Sequence, residues 1–133
     1  MVLVFAETWN GQFKKSTFEA VQYAAACATA QGSQAVAVVV GPATAPVESL
    51  GAYGAHKVLH LHGPEKFETA QHAALLGDAA KELNASMIVI SGTANGRALM
   101  GAVAVRAEAA ADDLVEVTLP TAVAEVEPNT ATS

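Results

Sequence analysis

Cysteine is almost missing from this chain. Cys27 stands alone among 133 residues, so no internal disulfide can form, and the chain suits a reducing cytoplasm. A reactive thiol needs a nearby cation or helix N-terminus. Cys27 has Ala24, Ala25, Ala26 and Ala28 around it instead, which implies a packed, inert side chain. Positive charge is also scarce. Seven Lys and Arg face 13 Asp and Glu, for a formal charge of −6. All the basic residues lie at or before Arg106, and Glu108, Asp112, Asp113, Glu116, Glu125 and Glu127 follow without a cation. Nucleic acids and anionic membranes are bound through clustered Lys and Arg, so both are excluded as partners. No apolar run approaches the roughly 18 residues that span a bilayer. The opening Met1–Glu7 lacks a basic flank and ends on a carboxylate, so it reads as a strand and not a signal peptide.

Catalytic and nucleotide signatures are missing too. No G-x-G-x-x-G follows the first strand, and there is no G-x-x-x-x-G-K-[ST]. Ser91 precedes Gly92 and Thr93, which is not the G-x-S-x-G elbow. No Ser–His–Asp or Cys–His set can be assembled. Asp112 and Asp113 are adjacent, which points their carboxylates apart. These absences predict a chain with no active site of its own.

What is present is a rhythm. Apolar residues make up 52% of the chain, enough for a proper core. Val2–Ala6 reads as a buried strand, followed by a polar loop with an Asn10-Gly11 turn signal. Ser16 and Glu19 form a capping-box pattern that predicts a helix through Gln31, closed by Gly32. The unit then repeats. Strands are expected at Ala35–Val40, His56–Leu61, Met87–Ile90 and Leu114–Leu119. Helices are expected at Val47–Tyr53, from Phe67 to Leu83, and at Arg97–Ala110. Such alternation implies a three-layer, Rossmann-like α/β domain over residues 1–119. Its parallel sheet would have about five strands in the order 3-2-1-4-5. Residues 120–133 are acidic, contain Pro and lack a packing rhythm, which reads as a tail or linker.

In such sheets ligands sit beyond the carboxyl ends of the strands, where the order reverses. Glu7, Thr8, Trp9 and Asn10 would line one side of that crevice. Ser91, Gly92, Thr93, Asn95, Gly96 and Arg97 would line the other. Thr93, Asn95, Gly96 and Arg97 are the candidates for an anion site at the head of the last helix. The competing reading is a capped helix start, with Arg97 tethering a loop or a neighbouring chain. Trp9 stands where a pyrophosphate would approach the backbone, which argues against a dinucleotide. His56, His60 and His62 alternate along a strand end, but no Cys or acidic cluster accompanies them, so edge-strand polar residues are expected and no metal site is assigned. His72, on the following helix, is expected to be solvated.

The last helix carries Leu99, Met100, Gly101, Ala102, Val103 and Ala104 without a polar side chain. A helix apolar all round is buried on more than one side. Leu99, Met100 and Val103 are therefore candidates for an interface with another domain or subunit.

Several segments together resemble one family. Val2–Glu7 is similar to an opening strand that ends in Ala-Glu, and Thr17–Ala30 to a first helix that follows an Asn-Gly loop. Lys57–Leu59 resembles a third strand after a Gly-Ala pair, here Gly54-Ala55. Thr93–Arg97 resembles a T-x-x-G-R turn, with Val103, Ala104 and Arg106 continuing its helix. The family is the N-terminal domain of the electron transfer flavoprotein alpha subunit, and the similarity spans residues 2 to 118. Two departures stand out: Ala98 takes the place of an acidic residue, and Gly101-Ala102 that of a Pro-Arg pair. The resemblance implies an adenine nucleotide alpha hydrolase-like fold. It implies a non-catalytic scaffold in a heterodimer whose electrons pass through FAD held elsewhere. The expected partners are the beta subunit and an FAD-binding C-terminal domain that these 133 residues do not include; no cofactor is expected on this chain alone. The location would be cytoplasmic in a bacterium, or the mitochondrial matrix in a eukaryote. A homo-oligomer built on the last helix is the competing assembly. A small universal-stress-type nucleotide-binding protein is the competing function.

Overall fold

Val2–Phe5 is buried residue for residue and forms β1, the middle strand of a parallel sheet. The computed structural model describes residues 1–109 and 117–118, with side chains through Val105. β1 is followed by a two-residue pair, β2 (Thr8–Trp9) and β3 (Gln12–Phe13), and by α1 (Lys15–Ala30). Then come β4 (Ala35–Val40), a 3-10 helix at Val47–Tyr53, β5 (Lys57–Leu61) and α2 (Thr69–Glu82). β6 (Met87–Val89), α3 (Ala94–Ala109) and β7 (Val117–Thr118) complete the order. The large sheet runs β5-β4-β1-β6-β7, all parallel. This is the expected 3-2-1-4-5 order. The expected tail, residues 120–133, and most of the fifth strand lie outside the described residues.

Side-chain alternation along the strands builds two cores, one on each face. Val2, Val4, Ala35, Ala37 and Val39 pack with Ala20, Val21, Ala24 and Ala28 of α1 and Leu50 of the 3-10 helix. Alanines on both sides of this contact let α1 lie close to the sheet. Leu3, Phe5, Val36, Val38, Ile88 and Ile90 point to the other face. There they meet Leu76 and Ala80 of α2, and Leu99, Met100 and Val103 of α3.

One local expectation is extended and one corrected. The Asn10-Gly11 turn in the loop after β1 closes a short hairpin: Thr8 pairs with Phe13 and Trp9 with Gln12. Asn10 and Gly11 both have positive φ, 51° and 79°, the signature of the type I′ turn whose twist suits a two-residue hairpin. The first helix starts at Lys15, so Ser16 is inside it and is not its cap. Thr17 fixes the start instead: its Oγ1 accepts the Lys14 N–H at 3.3 Å and donates to the Glu7 carbonyl at 2.7 Å. Glu19, the other half of the expected box, forms only an exposed pair with Lys15 at 3.6 Å.

Candidate functional site

The strand order reverses between β1 and β6, and Glu7 leaves β1 at that point. Only 4% of Glu7 is exposed. Thr93 Oγ1 donates to its Oε1 at 2.7 Å, and Asn95 Nδ2 donates to its Oε2 at 3.1 Å. Thr93 is the residue before α3. Its Oγ1 also accepts the Gly96 N–H at 3.0 Å, the usual bond of an N-cap. One hydroxyl therefore satisfies a free helix N–H with a lone pair and donates its own hydrogen bond to Glu7. The carboxylate sits at the positive end of the α3 dipole with both oxygens bonded. Its own carbonyl takes the Thr17 hydroxyl, so a single residue joins β1, α1 and α3.

Gly96 is required by space. A Cβ there would lie 1.9 Å from the Ser91 carbonyl oxygen, because the first turn of α3 rests directly on the exit of β6. The T-x-x-G spacing is thus an N-cap followed by a close-approach glycine. Arg97 lies on the exposed side. Its backbone N–H reaches the Thr93 carbonyl at 2.8 Å, and its guanidinium has no partner among the described residues.

The four anion candidates are thus drawn together at one helix start. Thr93 and Asn95 are directed at Glu7, Gly96 at Thr93, and Arg97 at solvent. Ser91 and Gly92 are buried beneath them. Across the crevice, Trp9 is 38% exposed at the hairpin, with Lys14 Nζ 4.0 Å from its ring centroid. Gly11 anchors the hairpin tip, its carbonyl accepting the Thr44 and Ala45 N–H groups at 3.0 and 3.1 Å. The role of Glu7 was not visible from local sequence. The available signal was a lone carboxylate ending an apolar strand at the switch point, opposite a capping threonine.

The histidines divide. His56, His60 and His62 are exposed, on or beside the edge strand β5, and His60 Nε2 meets the Gly41 carbonyl at 2.7 Å. Among the described residues no group of three His, Cys, Asp or Glu could hold a metal. His72 is not solvated as expected but buried, at 4% exposure. It lies between Phe5 and Phe67, with ring centroids 5.8 and 4.7 Å away. Its Nδ1 bonds the Glu68 carbonyl at 3.0 Å. Burial holds its pKa below the usual histidine value, partly opposed by the Glu68 carbonyl and the Glu68 charge. Sequence reasoning missed this because Ala73 and Leu76, rather than any feature of His72 itself, determine which side of α2 faces the sheet.

Two further expectations are corrected. Leu99, Met100 and Val103 are 0%, 4% and 2% exposed and belong to the core of this chain. The sheet covers one side of α3, and α2 covers the second side that had been assigned to a partner. What α3 leaves outward is Ala94, Arg97, Ala98, Gly101, Ala104 and Val105, the last 67% exposed. Cys27 is half-buried, not enclosed. It neighbours Tyr23 one helical turn back, whose phenol pKa is raised by burial and then by the Cys27 thiol.

Among the described residues no helix is long and apolar enough to cross a membrane. A search of curated proteins gave no match. Among solved structures, the chain is similar to a crystal structure of a universal stress protein in complex with cAMP. That match has a TM-score of 0.53 and 20% identity, covering 88% of this chain and 94% of the other. At that identity the likeness shows the fold alone, and it agrees with the adenine nucleotide alpha hydrolase-like architecture read above. The electron transfer flavoprotein domain family matches residues 2–130, nearly the whole sequence. This chain therefore belongs to the electron transfer flavoprotein domain family.

Proposed function

We propose that this chain is the N-terminal, alpha-type domain of an electron transfer flavoprotein, acting as a scaffold and not as an enzyme. It would hold no cofactor of its own. It would position an FAD-binding domain and pair with a beta subunit, and electrons would pass through FAD outside these residues. The observation that carries this reading is the family match over residues 2–130. The crevice supports it, since Thr93 and Asn95 turn their side-chain donors onto Glu7 and not outward to a ligand. The surface this reading leaves for a partner is the outward stripe of α3 around Ala98, Gly101 and Val105. The competing reading, a nucleotide-binding protein of the universal-stress type, draws on the fold alone.

The test is co-purification of this chain with a beta-type subunit of the same family and an FAD-binding domain, read by flavin absorbance and mass spectrometry. A stable yellow complex is expected. A chain that stays alone and colourless, and whose melting temperature rises with ATP or cAMP, would favour the competing reading.

A further inference from the structure

We propose that Glu7 is a built-in anion that closes the switch-point crevice to phosphate-bearing ligands. The inference rests on the crevice geometry, and it stands whether or not the chain joins a flavoprotein. An open parallel sheet offers an anion site where a helix begins beside a strand end. Here that helix is α3, and a negative group is already seated at its start. Glu7 is 96% buried by its 4% exposure, it belongs to the neighbouring strand exit, and each carboxylate oxygen accepts from a different side chain of the helix start. These are the contacts a phosphate would make. A phosphate arriving beside an intact Glu7 would meet like charge at a buried position, where screening is weak, and would compete for donors already used.

The seat also has room next to it. A void of about 20 Å³, the size of a water, has Glu7, Thr8, Pro64, Glu65, Phe67 and His72 among its lining residues. Removing the Glu7 side chain would join its volume to that void and free the Thr93 hydroxyl and the Asn95 amide. A small neutral residue at this position should therefore turn a structural tie into an anion site. Glu7 is in this sense the residue that determines what the crevice rejects.

The experiment compares the wild-type chain, E7A and E7Q, with inorganic phosphate as the probe and sodium chloride of equal ionic strength as the control. Phosphate stabilises all three slightly by exclusion from the surface, so only a saturable difference between variants counts. E7A is expected to bind phosphate about tenfold or more tightly than wild type by titration calorimetry. The amide resonances of Thr93, Asn95 and Gly96 should shift with it. E7Q removes the charge but keeps the space filled and the donors engaged, so its affinity should fall between those of wild type and E7A. Should E7A fail to fold in chloride, folding in phosphate alone would support the proposal, and folding in neither would overturn it. A folded E7A that binds no more tightly than wild type, or that shifts only distant amides, would also overturn it.

Discussion

Glu7 Oε1 and Thr93 Oγ1 lie 2.7 Å apart across 86 residues of sequence. The bond joins the exit of the middle strand to the cap of α3, and Thr93 makes both halves of the connection. Replacing Thr93 with Val keeps the shape but removes the cap and leaves Glu7 Oε1 without its hydroxyl donor. The expected cost is about 2–3 kcal/mol, read as a lower urea midpoint with an unchanged slope. A loss within error of zero would show that this bond does not hold the junction.

The two glycines of α3 should respond in opposite directions. Gly96→Ala drives a methyl into the Ser91 carbonyl, 1.9 Å away. It should cost about 3 kcal/mol or more, because backbone and not a flexible side chain must move. Gly101 has open space where its Cβ would be. Gly101→Ala should gain about 0.5–1 kcal/mol from helix propensity. Thermal melts of the pair decide the matter, and equal effects would contradict the placement of α3.

The inner and outer sides of the same helix can be separated by charge. Met100→Glu places an unpaired carboxylate at a position 4% exposed and should cost about 4 kcal/mol or more. Val105, at 67% exposure, should accept Glu within about 0.5 kcal/mol. If the proposed partner docks on this stripe, Val105→Glu abolishes the complex while the isolated domain melts as before. Retention of the complex would move the interface elsewhere on the domain.

His72 should make stability depend on pH. Its folded pKa is lowered by burial, so below about pH 6.5 the unfolded chain takes up the proton first. Stability is fully present above that pH and falls as pH drops toward the folded value, by up to about 1.4 kcal/mol per pH unit. Glu68, the cap residue before α2, softens the effect through its carbonyl and its charge, and Glu7 and Glu65 line the same void as this imidazole. His72→Gln should flatten the slope in that window in urea titrations at several pH values. An unchanged slope would assign the pH dependence to other groups.

The sheet was legible because its strands are short, apolar and punctuated by Gly and Pro. Ala35–Val40 is buried on both faces and could hardly have been anything else. Less legible were features decided by contacts distant in sequence. The capping box at Ser16 and Glu19 follows the local rule, but Thr17 bonds back to Glu7, and that moves the start to Lys15. The apolar circumference of α3 correctly signalled burial on more than one side. It could not say that α2, rather than another protein, supplies the second cover. In the crevice the sequence listed Glu7 and Thr93 on facing sides and did not show the bond between them. Spacing brought Thr93, Asn95 and Gly96 together, but only the crossing of β1 beside β6 shows that Glu7 receives them.

The position of β1 has a consequence for how the protein comes into being. Of the strands in this sheet, the first to leave the ribosome is the middle one, flanked by β4 on one side and β6 on the other. One flank and one core can form from residues up to the end of β5. The other edge of β1 must wait for β6, where the Met1 carbonyl meets the Ser86 hydroxyl 85 residues later. During that interval Leu3, Phe5, Val36 and Val38 have only α2 to cover them, since Leu99, Met100 and Val103 of α3 come later. A nascent chain stalled before β6 presents a half-covered sheet with a free parallel edge, the state most exposed to capture by chaperones or by another copy of itself.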